Sequence, residues 1–213
     1  MADIKDEILK LAIARMQRVG IRSVSVDDIC NELGISKKTF YVHFDSKEAL
    51  LEQILRCKEE ELKKGLEHLV AHKTVVQTMT DWMTIANKAD KTTTENPPWL
   101  YDLHKYYPAI SAQHEKMVDN IFENFLVQFL QKGINENIFR QELDANLTAV
   151  LFVNVHKSLI LKKNKENISY KQAQYMGMHS MDILMRGVLT PNGMQLMKSE
   201  SEKLKKINSI FKV

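Results

Sequence analysis

Apolar residues recur three and four positions apart along most of this chain, which is the spacing of one face of an α-helix. Ile4, Ile8, Leu11 and Val19 follow this spacing near the start, and Gly20 is a natural end for the helix that they predict. Stretches that alternate between apolar and polar residues around an Asn-Gly or Asp-Gly turn are absent. Seven glycines and four prolines in 213 residues also indicate few tight turns. The periodicity therefore predicts an all-α protein.

Composition narrows the class of protein further. Apolar residues make up 44% of the chain and charged residues 27%, which is typical of globular proteins and rules out wholesale disorder. No apolar run approaches the ~18 residues that span a bilayer, and charges interrupt the N-terminal stretch where a signal peptide is apolar. Cys30 and Cys57 are too few for a disulfide scaffold. We expect a soluble, reduced, cytoplasmic protein without a membrane partner, and the net charge of +3 indicates no particular partner.

The predicted helices change in length near residue 55. Four helices, three of them short, account for the residues before this point. Longer helices are predicted over Thr74–Lys88, from Pro108 onward, over Leu143–Leu161 and over Tyr170–Val188, and the lysine-rich tail from Lys198 is a further candidate. We therefore expect an N-terminal module over residues 1–55 and a larger helical domain over residues 56–213.

Two short helices around a glycine form the most informative segment. Ser25–Leu33 and Ser36–Tyr41 each begin with a serine that can cap a helix, and Gly34 provides the backbone freedom of a sharp turn. This is the helix-turn-helix pattern, which places the N-terminal end of its second helix in the DNA major groove. Lys37 and Lys38 stand at that end, and lysine can donate to the O6 and N7 atoms of guanine. By spacing alone, a small helical bundle with solvated lysines explains the segment equally well.

The residue types in this segment favour the DNA-binding interpretation. The run contains Val26-Asp27-Asp28-Ile29, Leu33-Gly34-Ile35-Ser36, Thr39-Phe40-Tyr41, His43-Phe44 and Ser46-Lys47-Glu48-Ala49-Leu50. With these residues, positions 3–55 resemble the N-terminal DNA-binding domain of the TetR family of bacterial transcriptional regulators. The family pattern buries the aromatic residues at the positions of Phe40 and Phe44, so we expect both in the core.

The resemblance implies a DNA-binding role for eight residues. Lys37 and Lys38 are expected to read bases, and Thr39 and Tyr41 to make mixed phosphate and base-edge contacts. The full set is Ser25, Ser36, Lys37, Lys38, Thr39, Tyr41, His43 and Lys47. Some family members have a basic, base-contacting residue early in the preceding helix, where this chain has Asp27 and Asp28. Lys37 and Lys38 are therefore expected to carry more of the base reading.

By the same resemblance, the second domain dimerises and binds a small effector. Apolar residues at helical spacing form the expected dimer interface, namely Leu147, Val150, Leu151, Met178, Met181, Leu184 and Met185. Aromatic and histidine side chains form the expected effector site, namely Trp82, Trp99, Tyr101, His104, Tyr107, His114, Phe122 and Phe125. Ordinary core packing explains either set about as well. Such a lining favours a small apolar or aromatic effector.

Other chemistries have little support in the sequence. No glycine-rich phosphate loop, nucleophile elbow or metalloprotease motif is present, so we expect neither an enzyme nor a cofactor. His68 and His72 lie four residues apart but lack the further ligands of a metal site. The leading hypothesis is a ligand-responsive homodimeric repressor that binds double-stranded DNA at a palindromic operator and is released by its effector. The alternative is a nucleoid or division factor that uses the same scaffold without small-molecule control.

Overall fold

The structure is a computed structural model, and it describes residues 3–81, 97–166 and 170–210. Apart from one isolated bridge, the regular elements of these residues are helices, which confirms the all-α prediction. They are α1 (Ile4–Val19), α2 (Val26–Leu33), α3 (Lys37–His43), α4 (Lys47–His72), α5 (described over 75–81), α6 (Pro98–Tyr106), α7 (Pro108–Asn135), α8 (Ala145–Glu166), α9 (Tyr170–Val188) and α10 (Pro191–Ile210). None of the helices in these ranges combines the length and the apolar content needed to cross a bilayer.

Capping side chains explain where the helices of the helix-turn-helix begin. Ser25 and Asp28 form a capping box at α2, because the N–H of Asp28 donates to Oγ of Ser25 (3.1 Å) and the N–H of Ser25 donates to Oδ2 of Asp28 (2.8 Å). Ser36 caps α3 by accepting from the N–H of Thr39 at 3.0 Å. Gly34 ends α2 in the left-handed conformation, with φ 65°. Both helix boundaries and the turn between them are therefore encoded locally.

Helices α1 to α4 enclose one apolar core. Ile8, Ile29, Phe40 and Leu50 come from these four helices and are all fully buried. Each helix directs one apolar face inward, as its three- and four-residue spacing predicts. Burial of a large apolar side chain contributes about 1.5–3 kcal/mol. This core therefore holds α2 and α3 at a defined angle to each other.

The compact units of the chain do not divide at residue 55. The N-terminal unit comprises the described residues up to 62 and also residues 97–118, which form α6 and the start of α7. Leu103 of α6 is 1% exposed and belongs to the same core as α1 to α4. From sequence, this segment was assigned to the domain 56–213. It packs with the N-terminal helices instead, because α6 buries its apolar side in their core.

The C-terminal unit has an aromatic core of its own. Phe125 and Phe129 of α7 stack with ring centroids 5.7 Å apart, and Phe129 meets Phe139 edge to face at 5.5 Å. Gly133 lies directly against the ring of Phe139, so a larger residue there would collide with that ring. Phe139 also forms an antiparallel bridge with Leu189, just after α9. These contacts hold the end of α7 beside the end of α9.

Candidate nucleic-acid interface

Helix α3 has one buried face and one exposed face. Phe40 is fully buried and its ring centroid lies 5.8 Å from that of Phe44, which is 4% exposed, so both are core residues as expected. On the other side, Tyr41 is 49% exposed and Val42 is 73% exposed. Val42 was not among the predicted contacts, although its position two residues after a buried aromatic residue indicates an outward side chain. Burial of Phe40 therefore fixes α3 in the core while Tyr41 and Val42 remain accessible at the surface.

The hydroxyl groups at the start of α3 take part in its cap. Besides accepting from the backbone of Thr39, the hydroxyl oxygen of Ser36 lies 2.9 Å from that of Thr39. Ser36 is exposed and Thr39 is half-buried. These two predicted DNA contacts thus define the first turn of α3, and Ser36 is the more accessible of them.

Lys37 forms an ion pair inside the helix-turn-helix. Its Nζ lies 2.8 Å from Oδ1 of Asp27 on α2, and both side chains remain more than half exposed. The hydrogen bond and the charge of Asp27 raise the pKa of Lys37, so the ammonium stays protonated at neutral pH. Lys38 is exposed as well. The two lysines therefore differ, because only the first has a carboxylate bound to it in the described part of the chain.

The predicted phosphate contacts stand at helix ends around α3. Ser25, the cap of α2, is exposed, whereas His43 at the end of α3 and Lys47 at the start of α4 are half-buried. Burial lowers the pKa of Lys47, and the nearby carboxylates of Glu48, Asp102 and Asp28 oppose this effect. Hydrogen bonds from Ser25 lower the pKa of Asp28. Ser25 is therefore the most accessible of the three.

Helix α6 supports the loop that leads into α2. The N–H of Arg22 donates to Oδ2 of Asp102 at 2.8 Å, and its guanidinium donates to the hydroxyl of Tyr106 at 3.0 Å. The guanidinium also lies over the ring of Tyr106, 4.7 Å from its centroid, in a cation–π contact. Sequence reasoning missed Arg22 and Asp102, since no local pattern relates residues 80 positions apart. The DNA-binding unit thus includes a helix that is remote in sequence.

The predicted effector residues divide between the two compact units. Trp99 and Tyr107 pack against the N-terminal core, which gives both a structural role. Tyr101 is exposed and accepts a hydrogen bond from Nζ of Lys105 at 2.7 Å. The N-terminal unit contains Trp99, Tyr101, His104, Tyr107 and His114, the C-terminal unit contains Phe122 and Phe125, and Trp82 lies outside the described residues. The described members of the set therefore come from two compact units, and Tyr101 and His104 are exposed.

A groove of about 300 Å³ lies between α4 and α7 in the N-terminal unit. Its lining residues are Glu52, Leu55, Arg56, Glu59, Ile110, Gln113, His114 and Met117. Nδ1 of His114 lies 2.6 Å from Oε1 of Glu59, and Arg56 pairs with Glu52 at 3.8 Å. His114 is the one predicted effector residue in this groove. The four charged or titratable side chains of the groove thus form two pairs, His114 with Glu59 and Arg56 with Glu52.

Helix α8 carries apolar side chains that the single chain leaves exposed. Leu147 is 70% exposed, Leu151 is 51% exposed and Val150 is 39% exposed. On α9, Ile183 is 56% exposed, and the predicted residues Leu184 and Met185 are half-buried. The side chains of Met178 and Met181 lie outside the described residues. Large exposed apolar side chains on successive turns are typical of an interaction surface.

Residues 3–81, 97–166 and 170–210 contain no group of three or more His, Cys, Asp or Glu side chains placed to hold a metal. His68 and His72 are exposed, with ring centroids 4.4 Å apart. Cys30 is buried, and this burial raises the pKa of its thiol, which disfavours the reactive thiolate.

Comparison with known proteins agrees with the geometry of α2 and α3. Residues 8–54 match the family model of bacterial regulatory proteins of the tetR family. YerO, an HTH-type transcriptional regulator of Bacillus subtilis, is 24% identical over 200 residues, which cover 88% of this chain and 66% of YerO. IcaR, the negative transcriptional regulator of the biofilm operon icaADBC in Staphylococcus aureus, is 37% identical over 54 residues, or 25% of this chain and 29% of IcaR. These alignments thus span less than two thirds of either relative.

Solved structures share the fold over most of the chain. FadR of Thermus thermophilus, a TetR-family transcriptional repressor crystallised with lauroyl-CoA, superposes with a TM-score of 0.54. The match covers 87% of this chain and 95% of FadR at 14% identity, so it establishes similarity of fold. YerO, IcaR and FadR are transcriptional regulators and not enzymes.

Proposed function

This chain belongs to the TetR family of bacterial regulatory proteins by its N-terminal domain, and from that membership we propose that it is a DNA-binding transcriptional repressor of the bacterial cytoplasm. A homodimer binds a palindromic operator through two copies of α3, and a small apolar effector releases it. The observation that carries the proposal is the two-faced geometry of α3. Buried Phe40 fixes the helix, while Lys37, Lys38, Tyr41 and Val42 are exposed.

The exposed side of α3 has the chemistry of a major-groove reader. Lys38 donates to the O6 and N7 atoms of a guanine, and Val42 offers an apolar contact to a thymine methyl group. Ser25, His43 and Lys47 contact phosphates, which position the helix without reading sequence. His43 ends α3 itself, whereas Ser25 caps α2 and Lys47 begins α4, so the phosphate contacts lie at helix ends around the base-reading face.

The exposed apolar residues of α8 support dimerisation. We propose that Leu147, Val150 and Leu151, together with residues of α9, pack against their copies across a two-fold axis as a four-helix interface. A two-fold axis makes the two recognition helices equivalent. The operator is then a palindrome whose half-sites lie about 34–36 Å apart.

An apolar effector is supported by two observations. The C-terminal unit has an aromatic core around Phe125 and Phe129, from which a small apolar ligand can obtain contacts. FadR, which has the same fold, was crystallised with lauroyl-CoA. We propose that effector binding favours a dimer in which the recognition helices have the wrong separation, with a coupling of about 1–3 kcal/mol.

Selection of binding sites from random duplex DNA tests the DNA-binding proposal. The full-length protein should enrich a palindrome, and Lys38→Ala should lower affinity by about 1–3 kcal/mol and relax the preference at one position in each half-site. Lys64→Ala removes an exposed lysine of α4 distant from α3 and serves as the matched control. If the protein enriches no sequence, or if the two variants behave alike, the assignment of α3 is wrong.

Thermal melting tests the effector proposal. A ligand that binds the folded protein raises the melting temperature by mass action. We expect a rise with lauroyl-CoA or with members of a panel of aromatic and aliphatic compounds, and the same compound should release the selected duplex. The protein could instead prove to be a sequence-selective dimer whose melting temperature and DNA binding none of these compounds changes. That result would favour the nucleoid or division factor.

A further inference from the structure

We propose that Asp27 is a specificity-determining residue, which keeps Lys37 from acting as a general phosphate contact and reserves it for reading a G·C base pair. This inference rests on the proposed DNA-binding function and deepens it. The inference gives a role to Asp27, an acidic residue beside the recognition helix. A basic side chain at this position would strengthen binding to DNA of any sequence.

The geometry joins Asp27 to the recognition helix. Lys37 is the first residue of α3, and its ammonium lies 2.8 Å from the Asp27 carboxylate on α2. The side chains are 61% and 56% exposed, and an exposed ion pair contributes only about 0–1 kcal/mol to stability. The angle between the two helices is already set by the burial of Ile29 and Phe40. The pair is therefore dispensable for folding and available to DNA.

The other acidic residues of α2 have different partners. Asp28 is bound to Ser25 in the capping box, and Glu32 forms an ion pair with Arg15 of α1. The helix has no basic residue. Among the carboxylates of α2, Asp27 is therefore the one that is paired with a residue of the recognition helix.

The Lys37–Asp27 ion pair interacts differently with phosphates and with bases. A carboxylate beside the ammonium cancels its charge as seen by a phosphate, so the lysine releases few counterions on binding. A guanine presents the neutral acceptors O6 and N7, and two protons of the ammonium are still available when Asp27 holds the third. The second carboxylate oxygen can accept from the N4 amino group of the paired cytosine. The pair thus favours a G·C base pair and disfavours the backbone.

Asp27→Asn tests the inference in the full-length protein. Affinity is measured on the duplex obtained by selection and on a scrambled duplex of equal composition, at several salt concentrations. We expect the variant to bind the scrambled duplex roughly fivefold more tightly at 0.1 M salt, with a salt slope steeper by about 0.9 per protomer, because one more phosphate contact forms. The ratio of affinities for the two duplexes should fall.

Two further variants separate this effect from simple charge and from folding. Glu32→Gln removes the same charge from the same helix but frees Arg15 of α1 instead of Lys37, so it should preserve the ratio of affinities. In a Lys37→Gln background, Asp27→Asn should no longer steepen the salt slope. Unchanged melting temperatures show that the variants remain folded.

The outcomes distinguish the two proposals. If the wild-type protein prefers its selected duplex while Asp27→Asn keeps both the ratio and the slope, the role of Asp27 is refuted and the DNA-binding function stands. If Asp27→Asn and Glu32→Gln change binding equally, total charge explains the result and the inference also fails. A wild-type protein without any sequence preference overturns the proposed function and this inference together.

Discussion

At the scale of single residues, the turn before α2 depends on a glycine that touches a carboxylate. Gly20 has φ 92°, a conformation that L residues rarely adopt, and it ends α1. Its missing side chain leaves room for Asp102, which accepts a hydrogen bond from the N–H of Arg22 two residues later. Glycine is therefore favoured at position 20 for two reasons, its positive φ and the space that it leaves for Asp102.

Gly20→Ala should destabilise the protein by about 2 kcal/mol or more. The positive φ is strained for alanine, and the added Cβ would lie 2.6 Å from Oδ2 of Asp102. Urea unfolding measures the loss. Gly65→Ala is the control, because the helical site in α4 has nothing within 4 Å of a Cβ and should gain about 0.5–1 kcal/mol. Equal effects at both sites would contradict this account of the turn.

At the scale of elements, α6 is a structural part of the DNA-binding unit. Its Leu103 is buried with residues of α1 to α4, and Trp99 and Tyr107 pack against the same core. Tyr106 and Asp102 hold Arg22, which lies four residues before the start of α2. A change in the position of α6 would therefore act directly on the loop that enters the helix-turn-helix.

Leu103→Ala should destabilise the N-terminal unit by about 2–5 kcal/mol, although residue 103 lies far from α3 in sequence. The loss comes from the cavity left in a core that α1 to α4 share. Hydrogen exchange of the α1 amides should report it as faster opening, and DNA binding should weaken with it. Tyr101→Ala, on the exposed side of the same helix, should change stability by less than about 0.5 kcal/mol. Protection of α1 that is unaffected by Leu103→Ala would show that α6 is not part of this core.

At the scale of the whole molecule, the proposed dimer rests on apolar residues of α8 and α9 that are exposed in the single chain. In α8, Leu147 and Leu151 lie one turn apart, and both are more than half exposed in the single chain. Burying them against a second copy would stabilise the dimer by about 25 cal/mol for each Å² of apolar surface removed from water. The same contact would pair two recognition helices on one operator.

Leu151→Glu should convert the proposed dimer into a monomer, because a carboxylate would be buried opposite its own copy across the two-fold axis. Sedimentation measures the mass, and operator affinity should fall sharply as the second half-site contact is lost. Asn146→Glu places the same charge on an exposed position near the start of α8 and should leave the dimer intact. A wild-type protein that sediments as a monomer at micromolar concentration would refute the interface.

The helix-turn-helix is the part of the fold that local sequence determines. Ser25 and Ser36 cap helices within three residues of themselves, and Gly34 supplies the left-handed turn between them. Phe40 and Phe44 share one face by helical spacing, so their burial was predictable too. These features depend on residues within about one helical turn of each other, and such short-range contacts can be predicted from the sequence pattern.

The partners of the exposed and charged residues were decided by the tertiary structure. The sequence identifies Trp99 and Tyr107 only as aromatic residues near Pro98 and Pro108, but their placement against the N-terminal core depends on packing with the N-terminal helices. Arg22 meets Asp102 across 80 positions, and Lys37 meets Asp27 across the turn of the motif. Sequence by itself thus determined the all-α class and the helix-turn-helix motif, because capping and periodicity act locally. Which helices share a core, and which charges are paired, follows from contacts that exist only once the chain has folded.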